Sequence, residues 1–230
     1  MPRTTAIDQT RATSTALTKN LSSPERVAAS ITKGLLRRQY TVGERLVESD
    51  LTQKLGVSRS TVREALKMLA SNGVVEIVPH RGAIIRGLTL TDAENLLTVL
   101  EVLTGLAARQ AAENIHLKNN RQIFTAAAKP LIEPRPSNEL DRILDERARF
   151  YQTMFQIADN SELNHSMPNW RAHLFRSQFY SFLSKGDMRA MMAEYRKITR
   201  AVLNGDAAKS ELYTRRHLQK SGERTLPHMR

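Results

Sequence analysis

The chain has 230 residues, room for one large or two modest domains with real cores, and a formal charge of +12. It contains no cysteine, which excludes disulfides, thiolate metal sites and thiolate catalysis and suits a reducing cytoplasm. No apolar run approaches the ~20 residues needed to span a bilayer, and the N-terminus lacks the apolar region of a signal peptide.

Residues 1–22, rich in Thr and Ala, predict a flexible N-terminal arm. Ser23-Pro24-Glu25 then predicts a helix start. Ser can cap, Pro suits the first helical position, and Glu meets the positive end of the helix dipole. Val27, Ile31 and Leu35 recur at helical spacing behind it. A second helix fits Glu48 to Leu55 and is stopped by Gly56; a third fits Ser58 to Ser71 and ends at Asn72-Gly73. "VVEIV" and "AIIRG", separated by Pro79-His80-Arg81-Gly82, predict a β-hairpin.

On a helical wheel, Arg59, Ser60, Arg63 and Lys67 share one side of the third helix, while Val62, Ala65, Leu66 and Leu69 share the other. That helix packs one side and offers donors on the other. The planar fork of an arginine matches both phosphate oxygens and the O6/N7 edge of guanine. Gly56 permits the sharp turn of a helix-turn-helix, and the hairpin supplies a wing tipped with His80, Arg81 and Gly82. Residues 1–88 also carry the denser positive charge, as a polyanion-binding segment should.

With these motifs, "VGERLVESDLTQKLGVSRSTVREALKMLASNGVVEIVPHRGAII" resembles the winged helix-turn-helix of the GntR family of bacterial transcription regulators. The resemblance implies a DNA-binding domain over 23–88. It assigns DNA contacts to Ser58, Arg59, Ser60, Thr61 and Arg63 on the recognition helix, and to His80, Arg81 and Gly82 on the wing. Some relatives carry a DNA-contacting arginine where this chain has Ser49, so that contact is missing here; Arg45 could still hold a phosphate. The partner implied is a palindromic double-stranded operator bound by a homodimer.

From residue 89 the pattern is helical throughout. Segments at about 91–115, 119–131, 138–159, 161–184, 187–204 and 206–219 are joined by short breaks, with Pro168 expected to kink the fourth. A flexible tail is expected over 221–230. The fold class expected is mostly α, a winged helix-turn-helix followed by an all-α antiparallel bundle over 89–220.

The body resembles the effector domain (FCD type) of the FadR branch, on "RFYQTMFQIADNSEL", "EYRKITRAVLNGD" and "RRHL". Many such domains hold a divalent metal through one aspartate and three histidines. The register of those ligands falls here on Arg147, Tyr151, Tyr195 and His217. A cation stands where the anionic ligand belongs, and two phenols replace two imidazoles, so no metal and no other cofactor is expected.

Periodicity independently turns these positions inward. Burying an unpaired guanidinium costs several kcal/mol, so Arg147 needs an anionic partner, either a protein carboxylate or a bound ligand. Arg147, Tyr151, Tyr195 and His217 are therefore the candidate effector site, for a small organic acid; Trp170, His173 and Arg176 on a neighbouring helix could line the same cavity. An enzyme is disfavoured, because the body offers no paired inward carboxylates, no nucleophile beside a base and no phosphate loop. The alternative left open is a DNA-binding dimer whose body is a scaffold without an effector.

Overall fold

The structure, a computed structural model, describes residues 21–79, 82–133, 140–179 and 182–229. It divides the chain into two compact units, with the division between Gly87 and Leu88.

In the first unit, helix α1 (Ser23–Leu36) opens with a capping box in which Ser22 and Glu25 satisfy each other's backbone N–H groups, with proline in the first turn. Strand β1 (Arg45–Leu46) and helix α2 (Glu48–Leu55) follow. Gly56 takes φ 63°, the left-handed conformation that lets the chain leave α2. Helix α3 (Arg59–Ser71) buries Val62, Ala65, Leu66 and Leu69. It packs against α1, whose Val27, Ala28, Ile31 and Leu35 are buried. Strands β2 (Val75–Val78) and β3 (Gly82–Ile85) pair antiparallel with Val75 opposite Ile85 and Val78 opposite Gly82. β1 adds to the far edge of β3, Arg45 opposite Ile84, so the wing is a three-stranded sheet of order β1-β3-β2 rather than a bare hairpin. Two residues are too short a run to show the period of a strand, which is why β1 is silent in the sequence.

The second unit is all helix: α4 (Leu90–Glu113), α5 (Asn120–Ile132), α6 (Leu140–Ala158), α7 (Ser161–Ser166), α8 (Asn169–Phe179), α9 (Lys185–Leu203) and α10 (Ala207–Thr225). α4 starts in a second capping box, Thr89 with Asp92, and lies centrally, packing on α6, α9 and most extensively α10. Its Ala107, Ala108, Ala111 and Ala112 are buried, and such small side chains let neighbouring helices approach closely. Phe124, Phe150, Met154, Tyr195, Ile198 and Val202 fill the core between α5, α6 and α9. Burial of an apolar side chain of this size contributes roughly 1.5–3 kcal/mol.

Two expectations for the body are corrected. The single kinked helix expected over 161–184 is two helices: Met167 is extended (φ −70°, ψ 119°), because the residue before a proline is pushed out of the helical region. The flexible tail expected over 221–230 is instead helical, α10 continuing to Thr225 and a 3₁₀ turn following over Leu226–Met229. Gly222 explains this. A Cβ there would come within 3.1 Å of Leu97 Cδ1, so the bare backbone packs against α4 and Gly222 and Thr225 are buried. Among the described residues no helix is long and apolar enough to cross a membrane.

Candidate functional site

The first unit splits α3 into a packed side and an offered side. Ser58 caps the helix, its Oγ accepting the Thr61 N–H at 3.1 Å. The same Oγ lies 2.8 Å from both Ser60 Oγ and Thr61 Oγ1, so three hydroxyls gather at a helix N-terminus, where the dipole favours an anion. Arg59 and Ser60 are exposed on the first turn. Arg63, one turn further, is exposed and its Nε donates to Glu48 Oε2 at 2.8 Å. That pair is largely in water, so it holds the guanidinium loosely in place.

Arg45 is exposed on β1, an edge strand of the wing sheet, rather than on the recognition helix. Gly82 opens β3 at φ 88°, and a Cβ there would stand 2.4 Å from the Leu46 carbonyl oxygen. A glycine is required at that position whether or not it also meets DNA. Ser49 is exposed with its Oγ donating to Asp50 Oδ1 at 3.0 Å. His80 and Arg81 lie outside the described residues.

In the second unit the four register positions come together from three helices. Arg147 Nε, on α6, donates to Tyr195 Oη, on α9, at 2.5 Å, and the guanidinium carbon lies 5.0 Å from the centre of the Tyr151 ring. Tyr195 in turn meets the His217 ring of α10 at a tilt of 51°, ring centres 4.6 Å apart, and Phe150 closes the cluster edge-on to both tyrosines. Tyr195 and His217 are fully buried and Arg147 is 7% exposed, while Tyr151 is half-buried. The side chains of Trp170 and His173 lie outside the described residues.

Glu194 is the residue of this cluster that pattern-reading misses. Its carboxylate accepts from His217 Nδ1 at 2.7 Å and from Arg224 Nη1 at 3.2 Å, with a second, shorter bond from Arg224 Nη2, and Lys220 Nζ stands 3.8 Å away. Burial alone would raise this carboxyl; the hydrogen bonds from His217 and Arg224 overcome that and hold it down at about 2. For His217 the order is reversed. Burial pushes the imidazole down, Glu194 pulls it up, and the nearby Arg147 charge adds to the downward push, so the ring is neutral at pH 7. Among the described residues, His217 Nε2, Thr214 Oγ1 one turn before it and Thr199 Oγ1 one turn after Tyr195 are buried and meet no hydrogen-bond partner. A signal for Glu194 was present in the turn at Gly205-Asp206. In a helical hairpin, residues equidistant from the turn face each other, and Glu194 with His217 is one such pair, as is Asp187 with Arg224.

The set does not fit a divalent metal. It offers one imidazole, two phenols and a guanidinium whose charge repels a cation. Among the described residues no three His, Asp or Glu side chains are grouped to hold one.

Comparison with known proteins gives matches to two family models, the gntR family of bacterial regulatory proteins over residues 24–85 and the FCD domain over residues 95–220. The HTH-type transcriptional repressor RspR of Escherichia coli K12 is 26% identical over 181 residues, 79% of each chain. A probable D-xylose utilization operon transcriptional repressor of Paenarthrobacter nicotinovorans is 31% identical over 152 residues, 66% of each chain. Among solved structures, E. coli McbR/YncC superposes with a TM-score of 0.77 at 17% identity, covering 87% of this chain and 95% of that one, a likeness of fold.

Proposed function

We propose a ligand-gated operator-binding protein on this premise: the chain belongs to the GntR family of bacterial regulatory proteins and carries an FCD domain. It is therefore a DNA-binding transcription regulator and not an enzyme. In the proposed reading it acts in the cytoplasm, with Arg59 and Arg63 reading bases and Ser58, Ser60, Thr61 and Arg45 holding phosphates. His80, Arg81 and Gly82 carry the wing to the groove. The exposed first turn of α3 and its hydroxyl cluster support this assignment.

It binds a palindromic site as a homodimer, since one recognition helix is too small a contact for typical specific affinity. In support, Val99, Val102 and Leu106 form an exposed apolar stripe at helical spacing along α4, a face a second copy could cover.

The body binds a small organic acid, without a metal, through Arg147 with Tyr151, Tyr195 and His217. The carrying observation is the buried guanidinium of Arg147, whose Nε donates to Tyr195 Oη beside a His217 Nε2 that meets no hydrogen-bond partner among the described residues. A guanidinium offers a carboxylate two parallel N–H bonds, the attraction a metal supplies in relatives. Thermal melting of the chelated protein in small carboxylates tests this. A dose-dependent rise in melting temperature is expected in the parent and lost in Arg147→Ala. The second reading, a body that is only a scaffold, draws on the same Arg147–Tyr195 bond as a self-contained core contact; it requires that no acid shifts the melt.

A further inference from the structure

We propose that the outer face shared by α5 and α9 is a second DNA-contacting surface, one that holds the phosphate backbone of a duplex without reading its sequence. It goes beyond the assignment of DNA contacts to α3 and the wing, and it can fail while that assignment stands.

Residues 89–230 carry 21 Lys and Arg against 16 Asp and Glu, and the excess is not spread evenly. On a wheel of α9, Arg189, Arg196, Lys197 and Arg200 fall within about 100° of arc, opposite the buried Met191, Tyr195, Ile198 and Val202. All four cations are exposed. Two hydrogen bonds join this stripe to α5. Arg196 Nε donates to the Ile132 carbonyl at the end of α5 at 2.9 Å, and Arg121 Nη1, in the first turn of α5, donates to the Leu203 carbonyl at the end of α9. Each of these arginines is held by a helix-end carbonyl and keeps further N–H groups to offer.

Glu133, 3.8 Å from Lys129, is the one carboxylate paired on this face among the described residues, and Arg121, Arg189, Arg196, Lys197 and Arg200 pair with none of them. On the α4–α10 face, by contrast, Arg109 and Arg215 each meet two carboxylates. Arg200 has like charges one turn before it at Arg196 and Lys197, a spacing that destabilises a helix until an anion neutralises it. Between the cations stand Thr125, Ala126, Ala190 and Ala193, exposed and small enough to let a polyanion approach.

The same composition selects the partner. Protein interfaces centre on buried aromatic and aliphatic side chains, and membrane-surface helices sink Trp, Phe or Leu into lipid. Among the described residues of α5 and α9, no large apolar side chain is exposed. DNA interfaces are polar and strongly positive. From Arg189 to Arg200 the stripe runs about 16 Å, the axial length of roughly five base pairs. Because the same chain binds DNA through its first unit, duplex is present at high effective concentration, and contacts too weak to act alone add to affinity.

Fluorescence anisotropy of the full-length protein with a random-sequence duplex of about 40 bp, titrated across salt concentrations, tests this. Arg189→Ala/Lys197→Ala/Arg200→Ala should bind at least about ten-fold more weakly near 0.1 M salt, with the slope of log affinity against log salt reduced by about 2 to 3. Its thermal melt should match the parent's. Arg189→Lys/Arg200→Lys keeps the charge and should keep the slope, and so should Lys209→Ala/Arg216→Ala, which removes charge from α10. If the triple variant does not fold, Lys197→Ala alone decides, with a slope reduced by about 0.9. A folded triple variant with the parent's slope and affinity overturns the inference, as does a parent that does not bind random duplex. An equal loss per charge in the α10 variant overturns it by showing a bulk charge effect. Loss of binding to phosphatidylglycerol vesicles with an unchanged DNA slope also overturns it, giving the face to a membrane.

Discussion

Arg59 and Arg63 occupy the exposed side of a helix whose other side is core, so truncating them should cost recognition without costing the fold. Arg59→Ala and Arg63→Ala should each weaken operator binding by about 1–3 kcal/mol at fixed salt, with an unchanged thermal melt. Gel-shift titration beside calorimetry checks both; equal affinity of parent and variants would remove these residues from the interface. Glu194 and His217 predict a pH profile. Each has a depressed native value, so the folded chain resists a proton that the unfolded chain accepts. Their stabilisation is present above the unfolded values of 6.5 and 4.5. It is lost first as pH falls below 6.5, through His217, and again from 4.5 toward about 2, through Glu194. Melting temperature should be flat above pH 7 and fall through both windows, and Glu194→Gln should make the fall through the lower one shallower, the rest coming from carboxylates such as Asp92 and Asp187 that are also held down. At this scale the sequence was legible wherever a pattern repeats, as in the split of α3. The ion pair of Glu194 with Arg224 repeats nothing and lies off the apolar stripe of α9, so only the geometry of the hairpin brings it out.

At the scale of elements, local chemistry explains both what the sequence announces and what it hides. The capping boxes at Ser22, Thr89 and Ser184 are short and local, and each begins a helix, the first of them capped one residue before the Ser23 that the sequence suggests. The break at Met167-Pro168 and the helical chain end depend on steric facts that a hydrophobic pattern does not carry: a proline's effect on its predecessor, and a glycine's fit against Leu97. The wing makes the same point with a measurable consequence. Gly82 joins a left-handed backbone to a close approach on the Leu46 carbonyl, so Gly82→Ala must either strain β3 or push β1 away. That variant should lose more than about 1 kcal/mol of stability in denaturant unfolding. A loss of operator affinity with no loss of stability would mean that Gly82 matters through the DNA instead.

At the scale of the whole molecule, we propose a dimer whose bodies report an acid to its DNA-binding units. If the α4 stripe is where two copies meet, Val102→Glu places a like charge on both sides of a two-fold interface and should shift light scattering from dimer to monomer; a variant that stays dimeric moves the interface elsewhere. That proposal turns on the clamp at Arg147, where a side chain would take the place of a metal and keep the anion. The direct measurement is operator affinity of chelated, full-length parent and Arg147→Ala proteins with and without the tightest-binding acid found by calorimetry. The parent should change its operator affinity several-fold on adding the acid, while Arg147→Ala binds the operator like the ligand-free parent whether or not the acid is present. An Arg147→Ala protein that answers the acid as the parent does, or a parent that answers only when a transition metal is supplied, would contradict it.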